Sequence, residues 1–194
     1  NGTVSVTNLN AVPSMDLTKI TGGTTNANWS GDATFTGNLG SSNLTVSSGT
    51  MTIDDAATIN SASSIVVNGT IVANASKVTG DTISGSGTLT VNNLDATLNA
   101  DFTNLTTSTV NADFSGTGTY TGNLTNVDAL SISSGTMTVD DSILGTTTVN
   151  GSGNLTVNAN DTSLDLSNVS SSLGTVTIQD SASSVNIIGS AGND

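Results

Sequence analysis

Several classes of side chain are missing from this chain of 194 residues. It has no cysteine, no histidine, no arginine and no glutamate, and its only cations are Lys19 and Lys77. The usual bases, nucleophiles and oxyanion-binding groups of enzymes are drawn from those missing types, so we predict that the chain is not an enzyme. The absence of cysteine fits a secreted bacterial protein that avoids thiol chemistry.

Positive charge is equally scarce. The net charge is −13, yet only 9% of the residues are charged, so hydroxyl, amide and backbone groups must dominate the surface. Phosphate binding needs lysine and arginine, and their scarcity excludes nucleic acid and an anionic membrane surface as partners. No apolar run approaches the roughly 20 residues that span a bilayer, so we expect no membrane insertion.

Good helix formers are also few, and threonine, valine, isoleucine, asparagine and glycine dominate instead. Apolar–polar–apolar triplets recur after turn residues, and this period of two predicts strands with one buried face. The triplets are Val4-Ser5-Val6, Leu44-Thr45-Val46, Met51-Thr52-Ile53, Leu89-Thr90-Val91, Leu130-Ser131-Ile132, Met137-Thr138-Val139, Leu155-Thr156-Val157 and Val176-Thr177-Ile178.

The triplets belong to a long internal repeat. Residues 2–11 (GTVSVTNLNA) return as residues 87–96 (GTLTVNNLDA). Farther along, the match shifts by one residue, so that Met51 corresponds to Met137. A long repeat built from short alternations and turn residues is typical of a solenoid, in which a corner tolerates one extra residue.

We therefore predict an all-β fold, a right-handed parallel β-solenoid (β-helix) whose coils are short strands joined by corners. Coils of roughly 20 residues would give about nine or ten of them. Residues 1–194 would form a single continuous solenoid, with long repeats at about 2–86 and 87–152 and a degenerate third copy at 153–188. Pro13 is expected at a corner or an edge. The bulky residues expected in the core are Trp29, Phe35, Phe102, Phe114 and Tyr120.

Neither end of this sequence shows the polar cap that blunts the open edge of a solenoid. We therefore expect one of two partners at these edges. Either flanking solenoid repeats continue the fold, or copies of the chain stack end to end into a homopolymer by β-augmentation.

Two pairs of adjacent aspartates occupy equivalent positions of the repeat, Asp54 with Asp55 and Asp140 with Asp141. One interpretation is an Asx turn at a corner. A second is acid/base catalysis, as in β-helical glycan-degrading enzymes, although adjacent strand residues point to opposite faces. A third is a calcium site, because aspartates and turn carbonyls supply hard oxygen ligands. The sequence leaves the three open.

The last residues, 189–194 (GSAGND), resemble the start of an RTX block, the calcium-binding nonapeptide repeat of type I secreted bacterial proteins. Gly189, Gly192 and Asp194 match its Gly-Gly-x-Gly-x-Asp pattern, whereas Ser190 departs from it. The resemblance adds Asp194 to the candidate Ca²⁺ ligands. It also implies calcium-dependent folding outside the cell and export without an N-terminal signal.

The rest of the chain is similar in texture to the β-solenoid regions of bacterial adhesins, autotransporter passengers and RTX-type surface-layer proteins. Residues 86–91 (SGTLTV) and 151–157 (GSGNLTV) are examples. This similarity implies an extracellular structural protein at the cell surface, in a filament, a surface layer or an adhesin stalk. The alternatives are an adhesin that binds a host or glycan surface, a phage fibre component, and a β-helical glycan-degrading enzyme.

Overall fold

Short parallel strands joined by corners make up almost all of the chain. The computed structural model describes residues 2–59, 62, 64–161, 163–180 and 185–189. Over these residues the chain is an all-β parallel β-solenoid of about nine turns, which confirms the predicted fold class. Apolar and β-branched residues alternate with small polar ones in the strands, as a sheet with one buried face requires.

The described residues form 19 strands and two one-turn α-helices. The strands are β1 (Gly2–Val6), β2 (Gly23–Trp29), β3 (Ala33–Phe35), β4 (Asn43–Val46), β5 (Thr50–Ile53), β6 (Ser64–Val67), β7 (Thr70–Asn74), β8 (Ile83–Ser84), β9 (Thr88–Leu94), β10 (Leu105–Thr106), β11 (Thr109–Phe114), β12 (Thr117–Thr119), β13 (Ala129–Ile132), β14 (Thr136–Asp140), β15 (Thr148–Gly151), β16 (Asn154–Ala159), β17 (Ser163–Asp165), β18 (Val176–Asp180) and β19 (Asn186–Ile188). The helices are α1 (Ala75–Val78) and α2 (Asp141–Leu144), and 3-10 turns cover Leu9–Ala11 and Leu17–Lys19.

The chain divides into two compact units. Unit 1 comprises Asn1–Val91 and Asn104–Val110, and unit 2 comprises Asn92–Thr103 and Asn111–Asp194. Within unit 1, one sheet has the strand order β1-β2-β4-β6-β8-β10, and β3, β5 and β7 are neighbours in a second sheet. Within unit 2, β11, β13 and β15 are neighbours, β12-β14-β16-β18 form a sheet, and β17 pairs with β19. The predicted boundaries of the long repeats, and the prediction of one continuous solenoid, stay predictions.

All eight predicted triplets lie within strands. In β4, for example, Leu44 and Val46 are fully buried while Thr45 between them is partly exposed. The expectation of a buried face is wrong for Val4 and Val176, which are 40% and 38% exposed. The reason is their position, because β1 and β18 are the outermost strands of their sheets among the described residues.

The five aromatic side chains fill the core, as predicted. Each of them is completely buried: Trp29, Phe35, Phe102, Phe114 and Tyr120. In unit 1 the rings of Trp29 and Phe35 meet edge to face, with centroids 6.2 Å apart and planes at 86°. This is the geometry that aromatic quadrupoles favour.

Residues that are unfavourable in β-strands lie at the corners. Pro13 lies outside every described strand, just after the 3-10 turn of Leu9–Ala11, and its carbonyl accepts a hydrogen bond from the Thr36 amide at 2.9 Å. Because a proline there removes no ladder hydrogen bond, the predicted corner is confirmed. Asn8 and Asn126 adopt the left-handed conformation at φ 57° and 71°, which asparagine tolerates better than most residues.

Candidate functional site

Most of the acidic residues with an altered pKa act in corners. In the turn at Asp101, the carboxylate Oδ1 accepts hydrogen bonds from the Thr103 amide at 3.0 Å and from its hydroxyl at 2.8 Å. Phe102, between the two, points into the core. Such an Asx turn reverses the chain while leaving one apolar side chain inward. The aspartates with an altered pKa that accept a hydrogen bond from the amide two residues later are Asp16, Asp95, Asp101 and Asp165.

These hydrogen bonds hold the pKa of all four carboxyl groups below its usual value. The Thr18 hydroxyl contributes most at Asp16, whereas the Thr103 amide contributes most at Asp101. A carboxyl pKa that is lower in the folded state stabilises the fold above the unfolded pKa of about 3.9. That contribution disappears as the pH falls through the folded-state pKa. The four carboxylates therefore stabilise corners and are ionised at neutral pH.

The predicted pair Asp54 and Asp55 follows β5 at a corner. Asp54 Oδ1 accepts a hydrogen bond from the Ala56 amide at 2.8 Å, which confirms the Asx-turn interpretation for this residue. Asp55 Oδ1 instead accepts a hydrogen bond from the side-chain amide of Asn74. The two neighbouring carboxylates thus take part in different contacts.

The equivalent pair lies in a different local structure. Asp140 ends β14 and accepts a hydrogen bond from the side-chain amide of Asn158 at 3.1 Å. Asp141 begins α2, where its Oδ1 accepts from the Ser142 amide at 2.9 Å and its Oδ2 from the Asp161 amide at 3.4 Å. Each carboxylate is again engaged by groups of this chain.

The calcium role predicted for Asp54, Asp55, Asp140 and Asp141 stays a prediction. The carboxylates of each pair accept hydrogen bonds from nitrogen donors, whereas Ca²⁺ takes six to eight oxygen ligands. Across the described part of the chain, no group of three or more acidic, histidine or cysteine residues could hold a metal ion. Asp194 lies outside the described residues, so its role as a Ca²⁺ ligand stays a prediction.

Lys77 joins two corners of unit 1 by hydrogen bonds. Its ammonium group, carried by α1, donates hydrogen bonds to the carbonyl oxygens of Asp55 at 2.6 Å and Ala57 at 2.9 Å. These carbonyls belong to the corner that follows β5, one turn earlier in the chain. Lys77 therefore links two consecutive corners. The signal in the sequence was that Lys77 is one of only two lysines.

Replacing Lys77 with methionine should lower the free energy of unfolding by about 1.5–3 kcal/mol, because two carbonyls lose a charged donor while the aliphatic stem is kept. Lys19→Met is the matched control. Lys19 pairs with Asp16 at 3.9 Å, but its side chain is 82% exposed, so its loss should cost less than about 1 kcal/mol. Urea denaturation followed by circular dichroism measures both, and equal costs would contradict the role given to Lys77.

Unit 2 carries a groove along its corners. It has a volume of about 1150 Å³ and is open to solvent. It is lined by residues from three successive corners, 99–101, 121–128 and 142–148, and none of the sequence-predicted aspartates is among them. The sequence gives no signal for this groove, because its lining comes from three separate segments that only the stacking of turns brings together.

The groove surface carries hydroxyl, amide and carboxylate groups beside apolar side chains such as those of Leu124 and Ile143. Thr121 donates to the Asn99 side chain at 2.6 Å, and the Thr147 hydroxyl donates to the Val127 carbonyl at 3.0 Å. Asp101 and Asp128 are the charged residues of the lining, and no cation lines it. The groove therefore suits a neutral or cationic ligand and disfavours an anion.

Tyr120 lies beneath this region but cannot serve it as a proton donor. Its hydroxyl donates a hydrogen bond to the Ala100 carbonyl at 2.9 Å, and the ring is completely buried. Burial raises the pKa of Tyr120 well above its usual value, and the negative charge of Asp101 adds to the effect. Tyr120 is a core residue, as the repeat predicted.

Comparisons with protein-family models, with curated proteins and with solved structures find no match for the chain. Among the described residues, no helix has the length and apolarity to cross a membrane. The likeness to a β-solenoid is therefore established by the structure itself, in the parallel pairings and the stacked core described above.

Proposed function

We propose that this chain is an extracellular structural protein whose solenoid coils assemble into a cell-surface filament, a surface layer or an adhesin stalk. The observation that carries the proposal is the placement of exposed apolar side chains. Among the described residues, five large apolar side chains are exposed, and four of them lie on outermost strands: Val4 on β1, Val176 on β18, and Ile187 and Ile188 on β19.

One column of side chains shows the effect directly. Met137, Leu155 and Val176 are register partners on three consecutive strands. Met137 and Leu155 are completely buried, whereas Val176 at the end of the column is 38% exposed. An additional strand beside β18 would bury it as the inner two are buried. Full burial of such a side chain contributes about 1.5–3 kcal/mol, and the unpaired edge of the strand adds backbone hydrogen bonds.

The partner that best fits such an edge is another coil of the same kind, supplied by flanking solenoid repeats or by a second copy of this chain, and the second copy is the partner tested below. A copy offers the same strand spacing, the same alternation and a matching apolar column, which is β-augmentation. The acidic but sparsely charged surface, at 9% charged residues, opposes close approach only weakly at physiological salt.

Val176→Lys should abolish this self-association, because it places a charge on the edge that pairs. Val12→Lys is the matched control, since Val12 is 48% exposed but lies in a turn outside the strands. Sedimentation velocity and electron microscopy of the purified chain measure the outcome. Wild type and Val12→Lys should form elongated assemblies and Val176→Lys should not. Monodisperse single copies of wild type at high concentration would contradict the proposal.

A separate part of the proposal is that the chain binds Ca²⁺. The RTX-like residues 189–194 imply a bound Ca²⁺, and a ligand that binds only the folded chain raises its melting temperature with concentration. Adding Ca²⁺ to metal-free protein should therefore raise the melting temperature, and chelator should reverse the rise. An unchanged melting temperature would show that calcium does not stabilise this chain.

The adhesin alternative has less support than the structural role. The groove of unit 2 offers polar groups to a glycan, but sugar rings are usually held by stacking on an exposed aromatic face. All five aromatic rings of this chain are completely buried. The extracellular location is supported by the absence of cysteine and by the RTX-like segment.

A further inference from the structure

One short segment of the repeat occurs three times, at three strands that differ in their neighbours. Residues 2–6 (GTVSV), 87–91 (GTLTV) and 174–178 (GTVTI) lie in or at the start of β1, β9 and β18. The three segments share their first glycine and two apolar positions that alternate with polar ones. Differences in burial between them therefore come from the neighbouring turns and not from the segment itself.

The middle segment has a turn of the solenoid on either side. In unit 1, the Thr88 amide donates to the Gly69 carbonyl of the preceding turn at 2.9 Å. On the other side, the Thr109 amide of the following turn donates to the Gly87 carbonyl at 3.3 Å. Both apolar residues of this segment are completely buried, Leu89 and Val91. This is the burial that the segment acquires when both of its sides are covered.

Among the described residues, β1 and β18 each have a neighbour on one side only, and the sides differ. β1 pairs with β2, which belongs to the following turn, whereas β18 pairs with β16, which belongs to the preceding turn. The first apolar residue is left partly exposed in both strands, Val4 at 40% and Val176 at 38%. β1 thus lacks a preceding turn, and β18 lacks a following one.

Gly2 gives a second, independent indication of the missing preceding turn. At the equivalent Gly87, a Cβ atom would overlap the Gly69 carbonyl oxygen, so the close approach of the preceding turn requires glycine there. A Cβ atom on Gly2 would meet nothing within 4 Å. The first segment therefore leaves room at β1 for a turn that comes as close to Gly2 as Gly69 comes to Gly87.

We propose that the open edge of β18 in one copy of the chain pairs with the open edge of β1 in the next copy, in parallel and with Val176 beside Val4. This inference rests on the self-association proposed above and adds which edges meet. The pairing supplies β1 with a preceding turn and β18 with a following one, and Val4 then extends the column of Leu155 and Val176. Neither segment contains a charged residue, so no ion has to be desolvated between them.

A symmetric contact does not fit these edges. All strand pairings of the described residues are parallel. A two-fold axis that pairs an edge strand with its own copy makes the two strands antiparallel, or else turns one of the two apolar faces outward. Pairing β18 with β1 keeps both the strand direction and the inward face. Such a contact is heterologous, so copies add head to tail into an open filament that has a direction.

The absence of cysteine from the chain allows this register to be tested by cross-linking. Neighbouring parallel strands lie roughly 4.8 Å apart, within the Cα separation of about 4.4–6.8 Å that a disulfide bridges. The full chain with both Val4→Cys and Val176→Cys should give a ladder of covalent multimers on a non-reducing denaturing gel after mild oxidation. Each single variant should remain a monomer on the gel. Val4→Cys combined with Thr177→Cys is the matched control, and it should give no ladder because Thr177 is exposed on the opposite face of β18.

The outcomes of this experiment separate the pairing from the proposed function. Disulfide-linked dimers of Val4→Cys alone or of Val176→Cys alone would reveal a symmetric contact and overturn the head-to-tail pairing, while self-association would stand. Assemblies of the double variant that give no ladder would overturn it in the same way. Wild type that stays as single copies in sedimentation velocity would overturn the self-association itself.

Lysine variants provide a second measurement that needs no cross-link. Val4→Lys and Val176→Lys each block one edge, so neither should self-associate alone. An equimolar mixture should form a complex of two copies and stop there, because each variant retains the edge that the other has lost. Both positions are exposed, and the melting temperature of each variant checks that it is folded. A mixture that contains only single copies, under conditions where wild type assembles, would overturn the pairing.

Discussion

Replacing Trp29 with alanine should lower the free energy of unfolding by about 3–5 kcal/mol, the largest effect expected for a single substitution in this chain. Trp29 is completely buried, meets Phe35 edge to face at a centroid distance of 6.2 Å, and donates its indole N–H to the Gly31 carbonyl at 2.6 Å. A narrow solenoid core has few neighbours that can move in to fill the cavity, so the cost should lie near the upper end of that range.

The variant Trp29→Phe distinguishes the contribution of the buried ring from that of the indole hydrogen bond. The equivalent residue of the second repeat is Phe114, which is also completely buried, so phenylalanine suits a position of this kind. This variant should cost about 1–3 kcal/mol, mainly because the Gly31 carbonyl loses its donor. Urea denaturation followed by circular dichroism gives both values. A cost for Trp29→Ala no larger than that for Trp29→Phe would show that ring volume is not what stabilises this core.

Gly135→Ala should be the second most damaging substitution. Gly135 has φ +74°, and a Cβ atom there would overlap the carbonyl oxygen of Gly116 in the preceding turn. The left-handed conformation costs an alanine about 1–2 kcal/mol, and relieving the overlap adds about 1–3 kcal/mol. Because Gly135 has no Cβ atom, the two consecutive turns can lie closer together here than they could with any other residue at this position.

Gly80→Ala isolates the conformational part of that cost. Gly80 has φ +75°, nearly the same angle, but nothing lies within 4 Å of the place where a Cβ would be. Gly80→Ala should therefore lower the free energy of unfolding by only about 1–2 kcal/mol. The difference in the midpoint of thermal unfolding between the two variants measures the close approach. Equal shifts would contradict it.

The fold was predictable from the sequence to the extent that it depends on alternation. The triplet Leu155-Thr156-Val157 lies in β16 with both apolar residues completely buried, because β16 has a neighbouring strand on either side. The exposure of Val176 could not be predicted in this way. Its burial depends on whether another strand lies beside β18, and an alternation pattern carries no information about that.

Local structure at corners was less predictable than strands. Asp54 and Asp140 occupy equivalent positions of the repeat, yet Asp54 starts an Asx turn and Asp140 ends a strand that leads into α2. The residues that follow explain the difference. After the first pair the small Ala57 is buried, whereas after the second pair the larger Leu144 is buried, and one helical turn brings it inward. The conformation of a corner depends on single contacts of this kind, and equivalent positions of the repeat do not share those contacts.

The columns of side chains that neighbouring turns form were harder to predict than single strands. Met137, for example, pairs with Leu155, and Leu155 pairs with Val176. Only the register between turns places these residues side by side, and turn length varies along the chain. Hydrogen bonds between neighbouring turns join residues from 17 to 24 positions apart, so no fixed period in the sequence reveals the columns.

That short separation also bears on how the chain acquires its structure. The residues that pair across turns are close in sequence, so little loop entropy is lost before the first ladder forms, unlike in most all-β folds. A chain that leaves a ribosome or a secretion channel gains a complete rung after roughly 20 residues, and each rung is a template for the next. Folding can therefore proceed in one direction along the chain, with each finished rung stabilising the next.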